Sequence, residues 1–234
     1  MAIEYHLRKH EDKGQFIPQG SGERLMFITH GTSKYTEREE VKMVLDGGCS
    51  WVQLRMKGNM NIFTAREIGQ LINEHTNKCI YCINDNARIA LRCGANAVHL
   101  GKEDISVSAA WEMAKEQLFP GETFYIGATA NTFEDIEHAV VQGASYIGLG
   151  PFRYTETKKK LSPVLGLEGY RKIVQQCKEA GYKIPIFAIG GICLEDVTPL
   201  MDTGITGIAV SGAIIHAEDP VEETRRFINE INKY

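Results

Sequence analysis

The residues able to do chemistry fall in short polar clusters, each directly after an apolar run. Asn84-Asp85 and the end of His99-Leu100-Gly101-Lys102-Glu103-Asp104 supply carboxylates. Gln53-Leu54-Arg55-Met56-Lys57 supplies two cations, and the stretch Gly150 to Lys158 adds more, with the hydroxyls of Thr155 and Thr157. Gly127-Ala128-Thr129 ends on another hydroxyl, while Gly190-Gly191 and Val210-Ser211-Gly212 read as glycine turns. Cations such as Arg55, Lys57 and Lys158 suit phosphate oxygens, Arg as a planar fork and Lys as a point charge. Two carboxylates near them, Asp85 and Asp104, suit Mg²⁺, which is commonly held by one or two protein carboxylates plus substrate phosphates and water. Glycine turns bind phosphate through backbone N–H groups. The chemistry these residues point to is Mg²⁺-assisted work on one diphosphate and one separate phosphate.

Such clusters act together only if the chain gathers them, and the runs before them show how. The runs are Leu25–Thr29, Trp51–Arg55, Ile80–Asn84, Ala97–Leu100, Phe124–Ala128, Tyr146–Gly150, Ile184–Ile189 and Gly207–Ser211. Amphipathic or mixed stretches such as Ile62–His75, Phe133–Gln142 and Leu167–Glu179 separate them, and Pro220–Lys233 follows the last. Continuous apolar strands alternating with helices imply a parallel sheet covered by helices, and eight units imply closure. The expected fold is α/β, a single (β/α)8 TIM barrel, a fold that typically takes ~250 residues. Its active site lies at the C-terminal strand ends, where every cluster falls, and its phosphate site commonly follows strands seven and eight. Gly47-Gly48, Gly94, Gly143, Gly181 and Gly204 punctuate the ends of the helical stretches. Residues 1–22 read as an N-terminal appendage without assigned structure, and 23–234 as the barrel catalytic domain. A doubly wound open sheet is the alternative. It would want G-x-G-x-x-G after an early strand, and the first run leads instead into Thr29-His30-Gly31-Thr32-Ser33.

Charge is balanced, 26 basic against 30 acidic residues, which argues against a broad nucleic-acid or membrane-surface footprint. No run approaches the roughly 18 apolar residues of a membrane span. The stretch Met1 to Gly22 lacks the apolar core of a secretory signal, so a cytoplasmic protein is expected. Cys79 and Cys82 have C-x-x-C spacing but sit in a strand-like run, where residues three apart face opposite ways and chelate poorly. The six cysteines are therefore expected to be reduced and mostly core. The expected partners are small-molecule substrates, with no nucleic acid and no membrane; a homo-oligomer is compatible with the sequence.

Six fragments share one register. Gln53-Leu54-Arg55-x-Lys57, Asn84-Asp85, His99-Leu100-Gly101-x-Glu103-Asp104, Gly150-Pro151 with Thr155-Glu156-Thr157-Lys158, Ile189-Gly190-Gly191-Ile192 and Ala209-Val210-Ser211 resemble the motifs of the thiamine phosphate synthase family, in its order and spacing. The resemblance runs from about Leu25 to Pro220. It implies a transferase in which a pyrimidine diphosphate ionises, pyrophosphate departs, and a thiazole phosphate captures the pyrimidine-methyl cation. It also implies roles: Gln53 at the pyrimidine; Arg55, Lys57, Asn84 and Lys158 on the diphosphate; Asp85 and Asp104 on Mg²⁺. Thr155, Thr157, Gly190-Gly191 and the Val210-Ser211 backbone would hold the thiazole and its phosphate. Arg55, Lys57 and Lys158 would be the catalytic cations, and Arg153–Val164 a lid.

Two positions depart from the family pattern. Thr129 stands beside the diphosphate where Ser is usual, and Asn131 stands where His is common. The related thiazole phosphate tautomerases rely on a His near that point, so Asn131 counts against that alternative; a non-catalytic thiazole or thiamine phosphate binder is the other. Simpler roles compete at single residues: Arg55 and Lys57 as solvated charges, Asp104 as a helix N-cap, and His99 as a hydrogen-bonded structural residue.

Overall fold

Side chains alternate along a strand, so an apolar run in a closed sheet must satisfy an outside and an inside. In the computed structural model, which describes residues 16, 18, 20–56, 58, 60–76, 78–154 and 163–234, both are met. Eight parallel strands close in chain order: β1 (Leu25–Ile28), β2 (Trp51–Leu54), β3 (Ile80–Asn84), β4 (Ala97–Leu100), β5 (Tyr125–Ala130), β6 (Tyr146–Leu149), β7 (Ile186–Ile189) and β8 (Gly207–Val210). Leu25, Phe27, Val52, Leu54, Tyr81 and Ile83 join the core shared with the helices. Met26, Ile28, Trp51, Ile80, Cys82, Tyr146 and Phe187 form a separate cluster inside the ring.

The connecting helices are α1 (Glu37–Asp46), α2 (Ile62–His75), α3 (Ala87–Ala90), α4 (Val107–Gln117), α5 (Phe133–Val141), α6 (Gly166–Glu179) and α7 (Val197–Met201); α8 (Gly212–Ile215) and α9 (Pro220–Ile231) follow β8. Their starts are chemically marked. Thr36 and Thr132 form capping boxes with Glu39 and Asp135, and Ser106 accepts from the Ala109 N–H. Two helical units are shorter than the pattern implies, α3 and α7, and α8 is an extra turn. No helix among the described residues is long and apolar enough to cross a membrane. All six cysteines are free; Cys79 and Cys82 are both buried, Cys82 inside the ring and Cys79 outside it.

The barrel interior is graded from apolar to polar. At the N-terminal strand ends, Trp51, Tyr125, Tyr146 and Phe187 converge on Phe16, whose ring lies 4.5 Å from Trp51 and 5.2 Å from Tyr125, both edge-on. Phe16 falls in the segment read as an appendage, yet it is buried at the barrel floor. Higher up, small residues admit large neighbours. A Cβ on Gly148 would lie 2.8 Å from the His99 ring, so glycine in β6 is what lets a histidine occupy β4 at that level.

Candidate active site at the barrel rim

Asp85 and Asp104 are brought together. Asp85 directly follows β3 with φ of 65°, a left-handed conformation that Asp tolerates better than most residues, and its N–H donates to the His99 carbonyl at 2.8 Å. Asp104 closes a turn after β4, with Oδ2 accepting the Gly101 N–H at 2.7 Å. The helix that follows is capped by Ser106, so Asp104 is not its N-cap. The two carboxyl groups converge beside Gly101, where a Cβ would lie 3.1 Å from Asp104 Oδ2 and 3.9 Å from Asp85 Oδ1. Burial first, then the charge and hydrogen bond of Asp104, push Asp85 up to about 6, while Arg55 and Asn84 pull it down. Among the described residues no group of three or more His, Cys, Asp and Glu is placed to hold a metal. A pair fits Mg²⁺, which completes its shell with phosphate and water oxygens.

Arg55 and Asn84 flank this pair and act on Asp85. Arg55 is fixed through its backbone: its N–H donates to Thr29 Oγ1 and the Thr29 hydroxyl donates to its carbonyl, both at 2.8 Å. Lys102 is drawn away, with Nζ 2.5 Å from Asp135 Oδ2. Lys57, Thr155, Thr157 and Lys158 lie outside the described residues, as does the middle of the expected lid.

Below the rim, Gln53 is buried inside the ring, its amide donating to the Met26 sulfur at 3.2 Å. Thr129 is the penultimate residue of β5, which runs two residues further than the apolar run. Its hydroxyl pairs with His99 Nε2 at 3.0 Å, and His99 Nδ1 pairs with the Tyr146 hydroxyl at 3.3 Å. His99 thus has the structural role, linking the rim to the aromatic floor. The Asn131 amide donates to the Gly150 carbonyl, so it supports the β6 loop where a tautomerase would want a proton carrier.

A second pole is formed by β7 and β8, which pair with Ile189 opposite Ala209. This register sets the Gly190-Gly191 turn beside Val210 and Ser211. Val210 is buried toward the helices, so only its backbone can face a ligand. The Ser211 hydroxyl is buried without a hydrogen-bond partner among the described residues. An orphaned buried hydroxyl costs about 1–3 kcal/mol, which a ligand oxygen would relieve. Arg153 and Asp196 at this pole were not among the sequence candidates; Arg153 looked like one more lid cation, and its partner follows a different strand.

The fold and rim define a (β/α)8 barrel with an acid pair at one pole and a glycine turn with an orphaned hydroxyl at the other. The sequence matches the thiamine monophosphate synthase family over residues 25–214. It is 47% identical over 210 residues to a thiamine-phosphate synthase of Bacteroides fragilis, covering 88% of this chain and 98% of that one. It is 37% identical over 213 residues to a thiamine-phosphate synthase of Pyrococcus horikoshii, covering 89% and 96%. The structure superposes on thiamine phosphate pyrophosphorylase from Pyrococcus furiosus with a TM-score of 0.76 and 32% identity, covering 91% and 97% of the two chains. The chain belongs to the thiamine monophosphate synthase family and is a transferase of that kind.

Proposed function

We propose that this barrel condenses 4-amino-2-methyl-5-hydroxymethylpyrimidine diphosphate with 4-methyl-5-(2-hydroxyethyl)thiazole phosphate, releasing pyrophosphate. The observation that carries the assignment of poles is the convergence of Asp85 and Asp104 beside Gly101, with Arg55 and Asn84 acting on Asp85. We assign the diphosphate to that pole, with Lys57 and Lys158 completing the cation set. Gln53 faces the pyrimidine, and Thr129 lies beneath the diphosphate. The thiazole phosphate goes to the Gly190-Gly191 turn, Val210 and Ser211, with Thr155 and Thr157.

The carbon–oxygen bond to the diphosphate breaks first, and the thiazole nitrogen then donates its lone pair to the pyrimidine-methyl cation. Negative charge gathers on the departing pyrophosphate, so cations fixed beside it stabilise the transition state more than the ground state. Asp85 and Asp104 would hold Mg²⁺, which when bound neutralises part of that charge. The mechanism needs no general base. Substrates of this kind are charged cytosolic metabolites, in keeping with a cytoplasmic enzyme.

The test is incubation of purified protein with both substrates and Mg²⁺, following thiamine phosphate and pyrophosphate. Equimolar products, abolished by chelation of the metal, are expected. Absence of product with and without metal would sink this reading.

A further inference from the structure

Gly190 and Gly191 have φ of 100° and 68°, so the turn uses two residues free to adopt many conformations. Something outside the turn must select one. Arg153, which follows β6, does so from the side. Its N–H donates to the Gly190 carbonyl at 3.0 Å, its Nη1 donates to the Gly191 carbonyl at 3.0 Å, and its Cγ would lie 2.5 Å from a Cβ on Gly191. The guanidinium is itself clamped. Nη1 and Nη2 donate to the two carboxylate oxygens of Asp196 at 2.6 and 2.7 Å, and Nη1 also reaches Cys193 Sγ at 3.0 Å. Asp196 is buried and also accepts the Cys193 N–H at 2.9 Å, so the clamp has a rigid base.

In a trans peptide the N–H points opposite to the C=O. Holding the Gly190 and Gly191 oxygens against Arg153 therefore turns the N–H groups of Gly191 and Ile192 the other way, as neighbouring donors of the kind that bind anions. The bidentate pairing with Asp196 engages the guanidinium, so Arg153 is built to shape the turn and not to take the phosphate itself.

We infer that Arg153, clamped by Asp196, is a positioning residue that sets the Gly190-Gly191 turn for binding the thiazole phosphate. The inference rests on the assignment of that turn to the phosphate. Its test compares Michaelis constants for the two substrates in Arg153→Met, Arg153→Lys, Asp196→Asn and Gly191→Ala proteins. Arg153→Met should raise KM for thiazole phosphate roughly tenfold, the equivalent of one lost hydrogen bond to a charged group, and move KM for the pyrimidine diphosphate less than about twofold. Arg153→Lys should restore little, because lysine lacks the fork. Asp196→Asn should shift KM in the same direction as Arg153→Met and supplies the measurement if that protein does not fold. Equal changes for both substrates, or none, would overturn the inference. If Gly191→Ala leaves thiazole phosphate KM unchanged, the assignment of the turn is wrong. If Gly191→Ala raises it and the Arg153 and Asp196 variants do not, only the positioning role fails.

Discussion

At the N-terminal end of the barrel, Phe16, Trp51, Tyr125, Tyr146 and Phe187 meet mostly edge to face, all but Tyr125 fully buried. At the C-terminal end, Asp85 holds a left-handed backbone with the like charge of Asp104 raising it, and the Ser211 hydroxyl lacks a partner among the described residues. Among the described residues the floor is packed rings with one orphaned donor, the Trp51 indole N–H, and no carboxylate pair; the rim has chemistry and more unfavourable arrangements. Because the strands between them are only four to six residues long, stability gained at the floor is what tolerates the rim. Damage at the two ends should therefore separate: rim variants lose turnover and keep the fold, and floor variants do the reverse.

The largest separation is expected from Asp85→Ala. It should lower kcat by about 10²–10³ while thiazole phosphate binding, read by calorimetry, is nearly unchanged. Undiminished turnover would remove Asp85 from the metal site. Phe16→Ala is the opposite probe: it should cost about 3–5 kcal/mol in chemical denaturation, with kcat at low temperature little altered. A Phe16→Ala protein that keeps its stability but loses turnover would break the comparison.

A third test uses the acid pair in metal-free protein. Folding raises Asp85 from its ordinary 3.8 to about 6, so its contribution to stability is present below the unfolded value and lost as pH rises through about 6. Asp104→Asn relieves the like charge. That protein should melt higher than the parent at pH 8 but not at pH 3.5, and carboxyl NMR should find Asp85 titrating at lower pH. An unchanged Asp85 titration would show that the two acids do not interact. The smallest effect belongs to Thr129→Ser, which keeps the hydroxyl that pairs with His99; its rate should change less than about tenfold, and a larger gain would mean the methyl obstructs the diphosphate.

The barrel was legible because eight apolar runs and their glycine stops each obey a local rule, and closure follows from their number. Asp85 and Asp104 were legible because each ends such a run. What stayed hidden depends on contacts between distant segments. Nothing near Phe16 distinguishes it from the polar residues around it, since the pocket that buries it is made of β2, β5, β6 and β7. Arg153 and Asp196 are unremarkable until β6 and β7 lie side by side. Thr129 sits at the end of its strand as its sequence position implies, and β5 keeps its pairing with β6 one residue further, through Ala130.

The Phe16 seat also bears on the order in which the molecule can be assembled. The residue leaves the ribosome before all its aromatic neighbours, which are spread from Trp51 to Phe187. At synthesis rates of about 5–20 residues per second, the last of them follows roughly ten to thirty seconds later. Through that interval a phenylalanine destined for full burial lacks its complete pocket, and the floor can be sealed only once β7 has been made. Its insertion would then mark barrel closure, and fluorescence from the adjoining Trp51 would be a natural reporter of that moment.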